Sequence, residues 1–228
     1  MAIDKSNKNA RNLAVGFLFI LAFIYWVVPL SRYLLGIFMV LLGISIFIYT
    51  LKDYQSTIIG ISKKNLPLIL IISVISGVIF FAVIKYFPAF ALLYPSLPQS
   101  VGDSLNIFVI VICAPIAEEL FFRGSLLGYL RSFKILTKKR IWIALLITSL
   151  FFMVFHIVAY SGAISNLQSF SDVFTNAISV YPKYLTALIA GLLFGFLAIK
   201  TNNLVASMVC HAIFNIILFT TNPGSIFA

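Results

Sequence analysis

The stretch AEELFFRG, Ala117 to Gly124, places two adjacent carboxylates and an arginine in a run otherwise fit for hydrocarbon. Away from the ends of the apolar runs, the ionisable residues are Glu118, Glu119, Arg123, His156 and His211. A charged group at the centre of a membrane helix costs about 2.5–3.5 kcal/mol on insertion scales, so residues of this kind mark function. Helical spacing divides their roles. Glu119 and Arg123 are four apart and can pair on one face. Glu118 points about 100° away and has no cation three or four residues distant. An unpaired carboxylate in low dielectric suits general-base or general-acid work near neutral pH. In HAIFN, His211 and Asn215 are again four apart, and both side chains can donate to a developing oxyanion. In FMVFH, Phe152 and His156 share a face, so the aromatic ring either packs beside the histidine or lines a substrate path. The set suits hydrolysis. Glu118, His156 and His211 are also zinc-ligand types, although no HExxH pattern holds them. From the residues alone, metal-bound and carboxylate-activated water both stay open.

These groups need elements to carry them. The chain has 228 residues, is 62% hydrophobic and has a mean hydropathy of +1.11. A soluble domain of that length cannot hide so much apolar surface, so lipid is the expected solvent. About seven runs approach the roughly 20 apolar residues of a spanning helix: about 12–30, 33–51, 66–88, 104–130, 141–160, 183–199 and 203–220. The fold class is all-α, a polytopic transmembrane bundle. An eighth element is expected only if Tyr86–Asp103 or Ser161–Pro182 lies in the interface plane. The first run is too long for a signal-peptide core and is followed by no small-x-small cleavage site, so it is expected to remain as a span. With no Gly/Ser linker or charge repeat, residues 1–228 read as one membrane domain.

Charge placement orients it. The net charge is +10. With the N-terminus inside, Lys5, Lys8, Arg11, Lys52, Lys63, Lys64, Arg131, Lys134, Lys138, Lys139, Arg140 and Lys200 fall on the cytoplasmic side. Only Arg32, Lys85 and Lys183 fall outside. This positive-inside asymmetry accounts for the charge through orientation and anionic lipid, and leaves no case for nucleic acid. Cys113 and Cys210 lie within spans and read as buried small hydrophobes. The glycine pairs Gly124/Gly128 and Gly191/Gly195 read as close packing within one bundle.

Depth then tests whether the polar residues can meet. At 1.5 Å per residue from the basic cytoplasmic ends, Glu118 lies roughly 20 Å in, His156 roughly 24 Å and His211 roughly 16 Å. Three antiparallel helices therefore bring them within a turn or two of one another, which favours a single intramembrane site.

At this point three elements resemble a known family. EExxxR reads Glu118-Glu119-Leu120-Phe121-Phe122-Arg123, FxxxH runs from Phe152 to His156, and HxxxN from His211 to Asn215. Their order and separation are similar to those of the CAAX protease and bacteriocin-processing (Abi) family of intramembrane endopeptidases, as is GLLFGFLAIKTNNLVASMVCHAIFN. The resemblance covers roughly Asn106 to Thr220, with a catalytic core at about 104–220 and variable spans at about 12–88. It implies that Glu118 with His156 activates water, that His211 and Asn215 form the oxyanion hole, and that Glu119 with Arg123 organises the site. Phe152 and Phe122 are the expected substrate-lining aromatics. The family was first described as metalloproteases, but its prenyl-protein-processing members look better explained without metal. No cofactor is therefore favoured, and zinc on Glu118, His156 and His211 is the alternative.

The expected partner is a peptide or membrane-protein substrate in a cell membrane, with lipid and a partner membrane protein as further contacts. The family's bacterial members are linked to bacteriocin immunity, peptide-signal maturation and envelope control. A non-catalytic scaffold or immunity protein retaining the motifs is the rival reading. A transporter using the same groups as a relay is a third, but the chain shows none of the broken-helix repeats it calls for.

Overall fold

A computed structural model describes residues 41, 43–45, 47–48, 59–86, 108–132, 141–162 and 181–221. Every described element is helical. In chain order these are α1 (Leu66–Tyr86), a π-helical turn (Val109–Cys113), α2 (Ala114–Glu119), a second π-helical stretch (Leu120–Leu126), α3 (Leu127–Ser132), α4 (Ile141–Gly162), α5 (Tyr181–Thr201) and α6 (Leu204–Thr221). Leu41, Gly43, Ile44, Ser45, Phe47 and Ile48 are helical as well, so helix stands in the described residues of six of the seven expected regions. The first run, most of the second, and residues 87–107, 133–140 and 163–180 lie outside the described residues.

By length and composition, Leu66–Tyr86 and Tyr184–Thr201 are long and apolar enough to cross a membrane. Their surroundings differ. Helix α1 presents Leu68, Ile71, Ile75 and Ile79 outward, each more than half exposed, a face that suits lipid better than water. Helix α5 is buried along Ala187, Ala190, Phe194, Leu197 and Ala198. Its neighbours approach closely because glycines leave room. A Cβ on Gly191 would stand 3.1 Å from Ser149 Cβ, and one on Gly195 would overlap the Leu145 side chain. Helix α5 therefore lies tight against α4, the close packing expected of that glycine pair.

The 109–132 segment holds the chief departure from regular helix. The sequence places one span at about 104–130, with Pro115 positioned to kink it beside Glu118, and wide π-helical turns flank the α-helical segment that carries Glu118 and Glu119. Pro115 sits in the first turn of α2, after a wide turn whose looser backbone accommodates its missing N–H. Such turns recur at functional sites because they re-aim side chains and carbonyls.

The sequence Thr201-Asn202-Asn203 makes the break between α5 and α6. Asn202 adopts a left-handed φ of 49°, a conformation asparagine tolerates and one that ends a helix. Asn203 then caps α6, its Oδ1 accepting from the Val205 N–H at 3.0 Å. The same side chain donates from Nδ2 to the Ser62 carbonyl at 2.7 Å, and the Leu204 N–H donates to Gly60 O at 2.9 Å. One buried amide thereby ties the segment before α1 to the α5–α6 corner. Cys113 and Cys210 are free and buried.

Candidate active site

Three helices each present one face to a common cavity. Helix α4 supplies Phe152 and His156, α5 supplies Thr186, Ala187, Ala190 and Phe194, and α6 supplies His211, Phe214, Asn215 and Leu218. The spacing within each set is that of a single helical stripe. The cavity holds about 50 Å³, enough for a few water molecules beside polar groups.

Behind it stand the two glutamates, whose Oε2 atoms both lack a hydrogen-bond partner among the described residues but whose other surroundings differ. Glu119 is fully buried. Its Oε1 accepts from Arg123 Nη1 at 2.8 Å and from His211 Nδ1 at 3.2 Å. Arg123, 1% exposed, also donates from Nη2 to the Gly191 carbonyl at 3.0 Å. Its guanidinium carbon lies 4.5 Å from the Phe152 ring centre and 5.7 Å from that of Phe194. A charge taken this far from water needs such partners. Phe194 in turn stacks on the His211 ring at 4.6 Å and 19°.

Glu118 retains 8% exposure, and its Oε2 accepts no hydrogen bond among the described residues. That atom stands 3.9 Å from His156 Nε2. On the far side of the ring, His156 Nδ1 lies 2.9 Å from the Phe152 carbonyl. A carbonyl only accepts, so Nδ1 carries the proton, and in the neutral ring Nε2 presents its lone pair toward Glu118. Phe152 lies against the ring at 4.3 Å.

The amide of Asn215 donates one N–H to Ile110 O at 2.9 Å, a carbonyl in the first π-helical turn. Because the amide has two N–H groups, its second remains for a ligand. His211 donates from Nδ1 to Glu119, so its other nitrogen donates only in the imidazolium form. This refines the expectation that both residues donate to an oxyanion.

All six polar residues picked out by the motifs therefore lie in one connected cluster, and Phe152 lines the cavity. Phe122 does not. It is 1% exposed and packed edge-on between Phe121 at 4.9 Å and Phe152 at 5.1 Å, where it supports the cavity wall from behind. Among the described residues, no three His, Cys, Asp or Glu side chains gather as a metal-holding group.

Several contributors escape sequence reasoning. Phe194 is one of 23 phenylalanines, and its residue type carried no signal. Gly191 and Ile110 act through backbone carbonyls, which no side-chain pattern reports. Thr186 lies within a span with no motif around it.

Comparison with known proteins adds the family. Residues 100–217, more than half of the chain, match the model of the type II CAAX prenyl endopeptidase Rce1-like family. The chain belongs to that family of proteases. No curated protein and no solved structure matches it significantly.

Proposed function

We propose that the chain is a multi-pass membrane endopeptidase, N-terminus inside with about seven spans, which hydrolyses a peptide bond near the bilayer without a metal. The observation that carries this reading is the approach of Glu118 Oε2 to His156 Nε2 at 3.9 Å beside the cavity. Two acceptors at that separation suit one shared water. A water about 2.8 Å from both atoms would see them roughly 90° apart, near the angle between its own O–H bonds. Its protons then point at the carboxylate and the imidazole, and its lone pair is left for attack.

As the water oxygen bonds to the scissile carbon, its proton passes to Glu118. The resulting oxyanion accepts from the second N–H of Asn215 and from His211 as imidazolium, with Glu119 balancing that charge. Collapse breaks the C–N bond, and the proton held by Glu118 and His156 leaves with the amine. The products are a carboxylic acid and an amine, and the base is regenerated. Arg123 keeps Glu119 in place throughout.

The test compares purified wild type with Glu118→Gln and His156→Ala on a library of membrane-proximal peptides, with and without chelator. Cleavage that survives chelation and vanishes in both variants supports the reading. Chelator-sensitive cleavage would replace it with a metal mechanism, and undiminished cleavage by Glu118→Gln would leave the motif residues with a scaffold role.

A further inference from the structure

The cavity is placed asymmetrically along the bundle. One end of the described structure carries Lys63 and Lys64 just before α1, and Lys200 at the end of α5, all exposed. The Asn203 side chain and the Gly60–Leu204 hydrogen bond hold these two segments together. At the same end Lys200 Nζ lies 5.9 Å from the Trp142 ring centre and 5.7 Å from that of Phe196. These two rings stack at 6.0 Å and are both exposed. Lysine over exposed tryptophan is the chemistry of a membrane–water interface.

Between this end and the catalytic cluster the interior is packed dry. Ile59, Leu127, Ala144, Ala198 and Leu204 are all 0% exposed and form one apolar cluster with Leu120 and Tyr129. The cavity residues lie beyond that plug. Measured along their own helices from the lysine-bearing end, His211 is about 10 Å in. His156, Thr186 and Leu218 are all about 21–22 Å in. The cavity therefore runs from His211 away from the lysines to the level of His156, toward the start of α5 and the end of α6. Its lining changes on the way, with Ala187, Ala190, Phe214 and Leu218 forming an apolar wall beside Asn215.

We infer that substrate reaches the site from the membrane face opposite the lysine-bearing end, which is the extracytoplasmic face under the positive-inside rule. The substrate is accordingly an exported peptide, or the outer juxtamembrane end of a membrane protein, that inserts an apolar stretch along the α5–α6 wall. This inference rests on the proteolytic reading for what is done to that segment, but the route is defined by packing alone. Lys85, at the far end of α1, and Lys183, in the first turn of α5, are the described lysines on the entry side.

The route is tested on the full chain in sealed right-side-out and inverted vesicles. Leu218→Cys and, should that variant fold poorly, Thr186→Cys place a thiol on the entry side of the cavity. Ser62→Cys places one at the lysine-bearing end, and the unmodified chain with its buried Cys113 and Cys210 is the blank. A membrane-impermeant maleimide is expected to label the cavity thiol in right-side-out vesicles and Ser62→Cys in inverted ones. An impermeant peptide should be cleaved only by the right-side-out preparation. Cavity labelling or cleavage confined to inverted vesicles overturns the inference, as does a cavity thiol that labels from neither side. The expected labelling with no cleavage from either side upholds the route and overturns the proteolytic reading instead.

Discussion

Glu118 and Glu119 are neighbours in sequence and identical in chemistry, yet the fold treats them as opposites. Glu119 is sealed and held by an arginine and a histidine on one oxygen. Glu118 keeps a margin of exposure and stands 3.9 Å from a histidine that it does not hydrogen-bond. The same contrast divides the two histidines. His211 is fixed by Glu119 and by the stacked ring of Phe194, whereas His156 is fixed from behind by the Phe152 carbonyl and faces Glu118. A carboxylate and a histidine in hydrogen-bond contact position groups; a pair standing 3.9 Å apart leaves room for a water between them.

That contrast can be broken at either member. Glu118→Gln removes the acceptor for the water's proton and should lower turnover by about 10²–10⁴-fold, with the unfolding temperature unchanged. Steady-state cleavage and thermal unfolding in the same detergent read both. Glu119→Gln strands Arg123 as an uncompensated buried charge, so its main effect should be a stability loss of about 3–5 kcal/mol. Chemical unfolding measures it. The double variant Glu119→Leu/Arg123→Met sharpens the point. Removing both charges should recover much of that stability while activity stays low, because His211 then has no carboxylate to orient it.

Smaller effects are expected farther from the proton. Asn215→Ala removes an oxyanion donor and should lower kcat by about 10²–10³-fold, with KM little altered. Phe194→Leu takes the stacked ring from His211 and should cost about 0.5–1.5 kcal/mol of transition-state stabilisation, read in kcat/KM. If Phe194→Leu instead rivalled Glu118→Gln, the aromatic shell would be doing more than holding a ring.

Much of this was legible in the sequence, for physical reasons that differ by residue. The Glu119–Arg123 pair follows from helical spacing, and its 2.8 Å contact needed only a helix to form. The meeting of His156, His211 and the glutamates followed from counting residues up antiparallel helices. The close seating of α5 on α4 followed from Gly191 and Gly195. What stayed hidden depends on backbone geometry. The π-helical turns around α2 rearrange local hydrogen bonds: the Ala114 N–H donates to Val109 O, and Pro115 has no N–H to offer Ile110, so that carbonyl is left to accept from Asn215. The role expected of Phe122 failed for a related reason. Its neighbour Phe121 and the facing Phe152 close around it, so the ring turns into the wall.

The most direct test of the contrast measures Glu118→Gln and Glu119→Gln side by side for peptide cleavage and for unfolding, each with and without chelator. The account predicts a crossed pattern: Glu118→Gln folds like wild type and does not cleave, Glu119→Gln unfolds early, and wild-type cleavage ignores the chelator. A stable Glu118→Gln that still cleaves would contradict it.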